Sequence, residues 1–510
     1  MTPKKTLLFI LSVLFTLLLL SIIFPKDGIT LFNGKKWQFI TFEEILSPPK
    51  QTKKDIDSLL SHTTIDEEPD DTLAFVQEQK KEKRDSVLID SQYVYYKPMP
   101  VKIDSVVRYL EFPTSAKTDL DPFFALLKNI KNDRKKIRIM HYGDSQIETD
   151  RITDYFRYKL QKQFGGTGCG LVPAVKAFNF KSPMIHTTKG QWKRYTVYGR
   201  RHPAVTHNRY GVTGNFSRFS PILPPTDTLD SFAVNKDLTP YELNHYASLT
   251  IAQSPYSFQP TKRYSKCKLF YGNCPKKVKV KLYADESLKD SVELQPTNNY
   301  KTHTWTFART PGNLKFEFEA PESPDIYGFS LEGNSGINID NIAMRGAAGL
   351  FFSRMNGRML AQMYKELNVK MFILQFGGNT VPGMRDNYAF YQKGFSRQIK
   401  RLKKLVPDAV IIVIGLADMS MKEKDIYVSY PNIPKIRDAL KQAAFANQCV
   451  YWDMYEAMGG KNSMPSWVFH DPPLGEKDFT HFTPKGARYI AKMFYNAFMY
   501  EYNRYLRKNP

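Results

Sequence analysis

Five apolar runs constrain the fold of this chain more than any other feature. They are "KIRIMHY" (136–142), "GINIDNIA" (336–343), "VKMFILQF" (369–376), "DAVIIVIGL" (408–416) and "CVYWDM" (449–454). A strand that is apolar on successive residues is covered on both faces. Between and after the runs lie helical patterns at 151–164, 348–366, 386–405, 432–447 and 484–505. Buried strands alternating with helices predict an α/β fold with a parallel sheet between two helical layers. The sheet would be assembled from two pieces of chain, 119–169 and 336–510.

The interval 170–335 follows a different rhythm. "KKVKVKLYA", "THTWTFA" and "NLKFEFE" alternate polar and apolar residues, as half-exposed antiparallel strands do. We read this interval as an inserted β-sandwich of carbohydrate-binding type, spliced between the first and second strands of the α/β domain. Such a long insertion is tolerable because loop-closure cost grows slowly with length.

The N-terminus speaks to compartment. After Lys4 and Lys5, an uncharged run extends from Thr6 to Phe24. At ~1.5 Å per helical residue it can cross a hydrocarbon core of about 30 Å. No small-residue cleavage site and no lipobox cysteine follow, so residues 1–30 read as an uncleaved, single-pass signal anchor. The bulk of the chain would then lie on the periplasmic side of the inner membrane. Residues 31–118 mix charges with few apolar groups and read as a charged, partly disordered tether. The net charge of +23, from 73 Lys+Arg against 50 Asp+Glu, calls for an anionic partner. Export makes that partner a membrane surface or an acidic polymer and excludes nucleic acid. Of four cysteines, Cys267 and Cys274 flank "KLFYGN". They would form either a hairpin disulfide or two free thiols.

Chemistry in open parallel sheets gathers at the carboxyl ends of strands. Here "HYGDSQ" follows the first strand and carries Ser145. "MRGAAGL" follows the second, with Gly346 and Gly349, and "FGGNT" follows the third, with Asn379. "EKDFTHFTPKG" precedes the last helix and sets Asp478 three residues before His481. Acyl transfer by serine needs a base, a group that orients the base, and donors for the oxyanion. These four stretches contain residues of each type.

On those motifs the α/β segments resemble the SGNH/GDSL hydrolase superfamily. The resemblance implies a flavodoxin-like three-layer domain. It implies Ser145 as nucleophile, His481 as base and Asp478 as its orienting partner. The oxyanion donors would be the amides of Ser145 and Gly349, with Gly346 as the alternative register, and the Asn379 side chain. Thr380 stands where the family has an aspartate. No metal or cofactor is implied. The layout further resembles membrane-anchored bacterial envelope proteins that add or remove O-acetyl groups on polysaccharide or peptidoglycan. Some of these work beside a membrane-bound O-acyltransferase.

From Tyr155 to Thr226 there are 12 Lys/Arg and no acidic residue. The stretch reads either as a solvated basic face or as a groove for an anionic glycan. In a groove, Arg194 and Arg200 would bind the anion, and Trp192, Tyr195 or Tyr198 would stack on sugar rings. Trp305 reads as sandwich core. His141 reads as structural, His470–Asp471 as a rival base pair, and Asp418 and Asp453 as capping or turn residues. The function expected is a serine esterase or O-acetyltransferase of an extracytoplasmic glycan. The alternatives are a non-catalytic glycan-binding or assembly protein, and a membrane lipid esterase.

Overall fold

The computed structural model describes residues 2–25, parts of 28–65, and 101–509 apart from 115–119, 131, 181 and 223–243. Five parallel strands form the central sheet: β1 (Lys136–Gly143), β2 (Gly336–Ala343), β3 (Val369–Gln375), β4 (Val410–Ile414) and β5 (Val450–Trp452). Their order is β2-β1-β3-β4-β5, the flavodoxin-like arrangement. The five apolar runs are these five strands.

Successive residues of each strand serve opposite cores. Ile137, Ile139, Met371, Ile373, Ile412 and Ile414 face one side. That side is covered by α2 (Asp121–Asn129), α3 (Thr153–Phe164) and α7 (Pro484–Lys508). Met140, Tyr142, Phe372, Leu374, Ile411 and Val413 face the other. It is covered by α4 (Gly357–Glu366), α5 (Ala389–Leu405) and α6 (Ile433–Phe445). Three layers result because a sheet apolar on both faces must be covered twice.

Between β1 and β2 the chain builds two antiparallel sheets, of five and six strands, the sixth strand of the second lying off its main path. Leu249, Val280, Phe316, Phe318, Phe329 and Trp305 fill the core between them. Trp305 is thus sandwich core, as its alternating context indicated. The insert is fused to the α/β layers. Phe216, Phe270 and Tyr327 share a core with Met140, Tyr142 and Tyr364. Buried Arg138 of β1 pairs with Asp340 at 2.8 Å and with Glu332 of the insert.

Cys267 and Cys274 are separate thiols, both buried. Cys267 lies within one extended strand (Lys266–Gly272) and Cys274 two residues past its end, so no hairpin brings them together. That separates them by about 20 Å, whereas a disulfide needs Cα atoms within about 7 Å. The segment 31–118, read as a tether, is described only in part. Residues 66–100 of it lie outside the described residues, but its flanks are docked. Glu111 exchanges backbone hydrogen bonds with Tyr451 at 2.8 and 2.9 Å, covering the β5 edge of the sheet, a position that would otherwise expose unpaired backbone. Ile56 and Leu60 are buried in the α2–α3–α7 core. Their apolar contribution was masked in the sequence by surrounding charge.

The N-terminal helix α1 (Pro3–Ile23) has a mean hydropathy of 2.8 and is long enough to cross a membrane.

Candidate active site

The site is assembled where four chain segments leave the sheet. β1 ends at Gly143, where a Cβ would come within 2.8 Å of the Ile147 side chain and 3.0 Å of the Gln375 carbonyl. Only glycine lets the chain turn so tightly against β3. Asp144 remains extended, and Ser145 begins a short 3-10 turn (Ser145–Asp150). Beyond it Thr149, Asp150 and Ile152 all adopt positive φ, costing roughly 1–2 kcal/mol each for non-glycine residues. Buried contacts hold this turn. Asp150 receives two hydrogen bonds from Arg157, at 2.6 and 2.9 Å. Arg157 also donates to Ile339 O at 2.7 Å. Glu148 is paired with Arg345 through the guanidinium Nε at 2.9 Å.

His481 arrives on the segment before α7. Its Nε2 lies 2.8 Å from Ser145 Oγ, and its Nδ1 lies 2.6 Å from Asp478 Oδ2. The other Asp478 oxygen accepts the backbone N–H of Thr480 at 2.9 Å and of His481 at 3.0 Å. Partial burial pushes the Asp478 carboxyl up. The imidazole bond and the two backbone donors outweigh that and hold it at about 2. It therefore stays ionised at neutral pH. The Asp478 side chain is half exposed, at 51%, and that of His481 is 23% exposed. The hydrogen-bonded Asp478–His481–Ser145 chain sits at the mouth of a cleft rather than in a sealed pocket.

Asn379 follows β3 on the turn Gly378–Thr380. Its Nδ2 donates to Ala347 O at 3.1 Å, which ties it to the segment after β2. The Asp144 carboxylate, behind Ser145, accepts from Gln146 N at 3.0 Å and also interacts with Gly378 and Asn379. Burial raises its pKa to about 6 against the lowering effect of these donors. A cavity of about 130 Å³ opens beside Ser145, Asn379 and His481, with Phe376, Leu416, Met419 and Met454 as its apolar wall.

The two candidate glycines differ in setting. Gly349 is buried, and a Cβ there would meet the rings of Phe376 and Phe395 at 2.8 and 2.9 Å. Gly346 is exposed with nothing within 4 Å of its Cβ position. Tyr195 does not fit its expected role as a sugar platform. It is 3% exposed, with its ring stacked on Phe216. Trp192 is half-buried against Phe219 and Phe318, and its Nε1 donates to Lys189 O and Ser248 O. Arg194 donates to the Tyr198 hydroxyl at 2.9 Å, and Arg200 is exposed.

The rival histidines fall elsewhere. His470 pairs with Asp57 at 3.3 Å and faces Pro472 O. His141 is buried between Thr153 Oγ1 and Gln375 Oε1, and burial lowers its pKa to about 3. It is a neutral structural imidazole. Asp453 caps a short helix, and Asp418 holds Ser429 and Met464 N.

Sequence reasoning passed over Gln146. Its side chain donates to Thr480 O at 2.9 Å and accepts from Phe482 N at 3.4 Å. It clamps the loop of Asp478 and His481 to the residue after Ser145. Its position directly after Ser145 was the available signal.

Residues 322–489 match the family model of the GDSL-like lipase/acylhydrolases. That stretch holds Asn379, Asp478 and His481, while Ser145 lies on the far side of the insert. That match lies mainly within the second part of the α/β unit, and the unit's parallel sheet has the SGNH fold. Among solved structures, a peptidoglycan O-acetylesterase superposes with a TM-score of 0.57 at 17% identity. The match covers 75% of this chain and 96% of that one. A family two carbohydrate esterase from Cellvibrio japonicus matches at a TM-score of 0.24 and 10% identity, over 52% of this chain and 92% of its own. No curated protein sequence matches the chain significantly.

Proposed function

We propose that this protein is a membrane-anchored serine esterase that removes O-acyl groups, acetyl foremost, from an extracytoplasmic polysaccharide or peptidoglycan. The observation that carries the reading is the unbroken hydrogen-bonded chain Asp478–His481–Ser145 at the rim of an open cleft. His481 Nε2 takes the Ser145 proton as Oγ attacks the ester carbonyl. Asp478 holds Nδ1–H, which fixes the tautomer and stabilises the imidazolium. The negative charge on the carbonyl oxygen is met by the Ser145 N–H and the side-chain amide of Asn379. A third donor comes from the loop after β2, where exposed Gly346 suits the role better than buried Gly349. The imidazolium then protonates the departing sugar hydroxyl, leaving an acyl-serine. Water, deprotonated by His481, releases the acid.

The helix α1 supports an envelope location, with the catalytic unit held beside the membrane. Arg194 and Arg200 remain the proposed anion-binding groups on the insert, with Trp192 at its edge. A sugar hydroxyl in place of water would make the same acyl-serine a transferase intermediate, fed by a membrane-bound acyl-exporting partner. The test follows acetyl from a chromogenic ester with and without a glycan acceptor, for the protein and its Ser145→Ala variant. Ser145-dependent acetate release marks the esterase, and Ser145-dependent glycan acetylation marks the transferase. Equal turnover by both proteins would refute the serine mechanism and favour a glycan-binding role.

A further inference from the structure

Asp478 and His481 lie on a loop without regular structure, so something must hold their geometry. The loop turns at Phe479, whose φ is 53°, a conformation rare for a bulky side chain. Three contacts secure it. Phe479 O accepts Ser420 N at 3.0 Å, and Phe479 N donates to Glu476 O at 3.0 Å. The Phe479 ring lies flat on Tyr427, with centroids 3.5 Å apart and planes 9° apart.

Tyr427 is in turn held by the chain that follows the membrane helix. The Gln51 side chain donates to Tyr427 O at 2.9 Å and accepts Tyr427 N at 2.7 Å, imitating a neighbouring strand. The next residues fasten to the segment leading into the triad loop. Lys54 N donates to Ser466 Oγ, and Lys54 Nζ donates to Gly459 O, both at 2.6 Å. Asp57 pairs with His470. Ile56 and Leu60 are 4% and 8% exposed, in the core that contains Met458, Met464 and Trp467.

We propose that Gln51 and Lys53–Leu60 form a strap that positions the catalytic loop, acting on Asp478 and His481 through the Tyr427–Phe479 stack. The inference rests on the serine-esterase reading above. The chain between membrane helix and catalytic unit is then a determinant of turnover as well as a tether. Gln51, Tyr427 and Phe479 are positioning residues, since none touches the reacting atoms. If Phe479 relaxes toward negative φ, the two backbone bonds to Asp478 are lost and His481 leaves line with Ser145. Displacements of about 1 Å at such a centre cost up to about a hundredfold in rate.

The test uses the full chain in detergent. Active sites are counted by labelling Ser145 to completion with a fluorophosphonate, and kcat is expressed per labelled site. Gln51→Ala, Tyr427→Ala and the undocking pair Ile56→Glu/Leu60→Glu are compared with Tyr427→Phe, which keeps the ring and its backbone bonds. The expected result is a fall in kcat per site of about tenfold or more in the first three, with KM within about twofold. Tyr427→Phe should retain the wild-type value. Should kcat per site stay unchanged in Gln51→Ala and Tyr427→Ala, the strap is merely structural and the inference is wrong, even if the core pair fails to fold. If the wild-type chain lacks Ser145-dependent turnover, the esterase reading itself has failed and takes the strap's catalytic role with it.

Discussion

His481 Nε2 lies 2.8 Å from Ser145 Oγ although 336 residues of chain separate them. Nearly half of that separation is the β-rich insert, which leaves β1 and returns at β2 without disturbing the sheet. On the proposed mechanism the two residues act as a unit. Ser145→Ala and His481→Ala should each lower ester turnover by about 10³-fold or more, and the double variant should be little worse than either. Steady-state kinetics on a chromogenic acetyl ester measures both. Additive losses would show that the residues work independently.

Asn379→Ala should lower kcat by about 10²–10³-fold, the effect of losing one oxyanion donor, with little change in KM. Its amide also ties two loops through Ala347 O. The thermal midpoint, recorded beside kcat, separates the two effects.

The glycines of the loop after β2 should respond differently. Gly349→Ala forces a Cβ into the Phe376 and Phe395 rings at positive φ. Its main effect should be lost stability of about 1–3 kcal/mol. Gly346→Ala meets open space, so stability should fall only by about the 1–2 kcal/mol of its left-handed backbone, while kcat falls more. Denaturant midpoints and kcat for the pair decide which amide faces the oxyanion.

Asp144 offers a pH test. Burial raises its folded pKa to about 6, above an ordinary carboxyl. The folded state thus holds this proton more tightly than the unfolded state. The contribution is full below about pH 4 and is lost as pH rises through about 6. Asp144→Asn should reduce the drop in unfolding free energy between pH 4 and pH 6.5 by on the order of 2 kcal/mol. Urea titrations at the two pH values would expose an unchanged drop.

Reductant should leave the thermal midpoint unchanged, because the cysteines are free and buried. Burial pushes Cys169 up to about 12 and Cys274 to about 11. A thiol reagent should label them only after unfolding, and fast labelling of the native protein would contradict this packing.

The sheet was legible in the sequence because its signal is local. A strand buried on both faces needs consecutive apolar residues, and "VKMFILQF" and "DAVIIVIGL" have little else to become. The residues that meet in the candidate site were legible for a similar reason: Ser145, Asn379 and the Asp478–His481 pair each sit in a short motif. Other features depended on contacts that no local pattern encodes. Tyr195 turned inward because Phe216 lies beneath it. Gln146 became a clamp only when residues 480–482 came to rest against it. Ile56 and Leu60, isolated among charges, became core because a hydrophobic surface some 400 residues downstream was there to receive them. Backbone periodicity dictates which elements form, while the partner each side chain meets is decided by which distant segments the packed layers bring together.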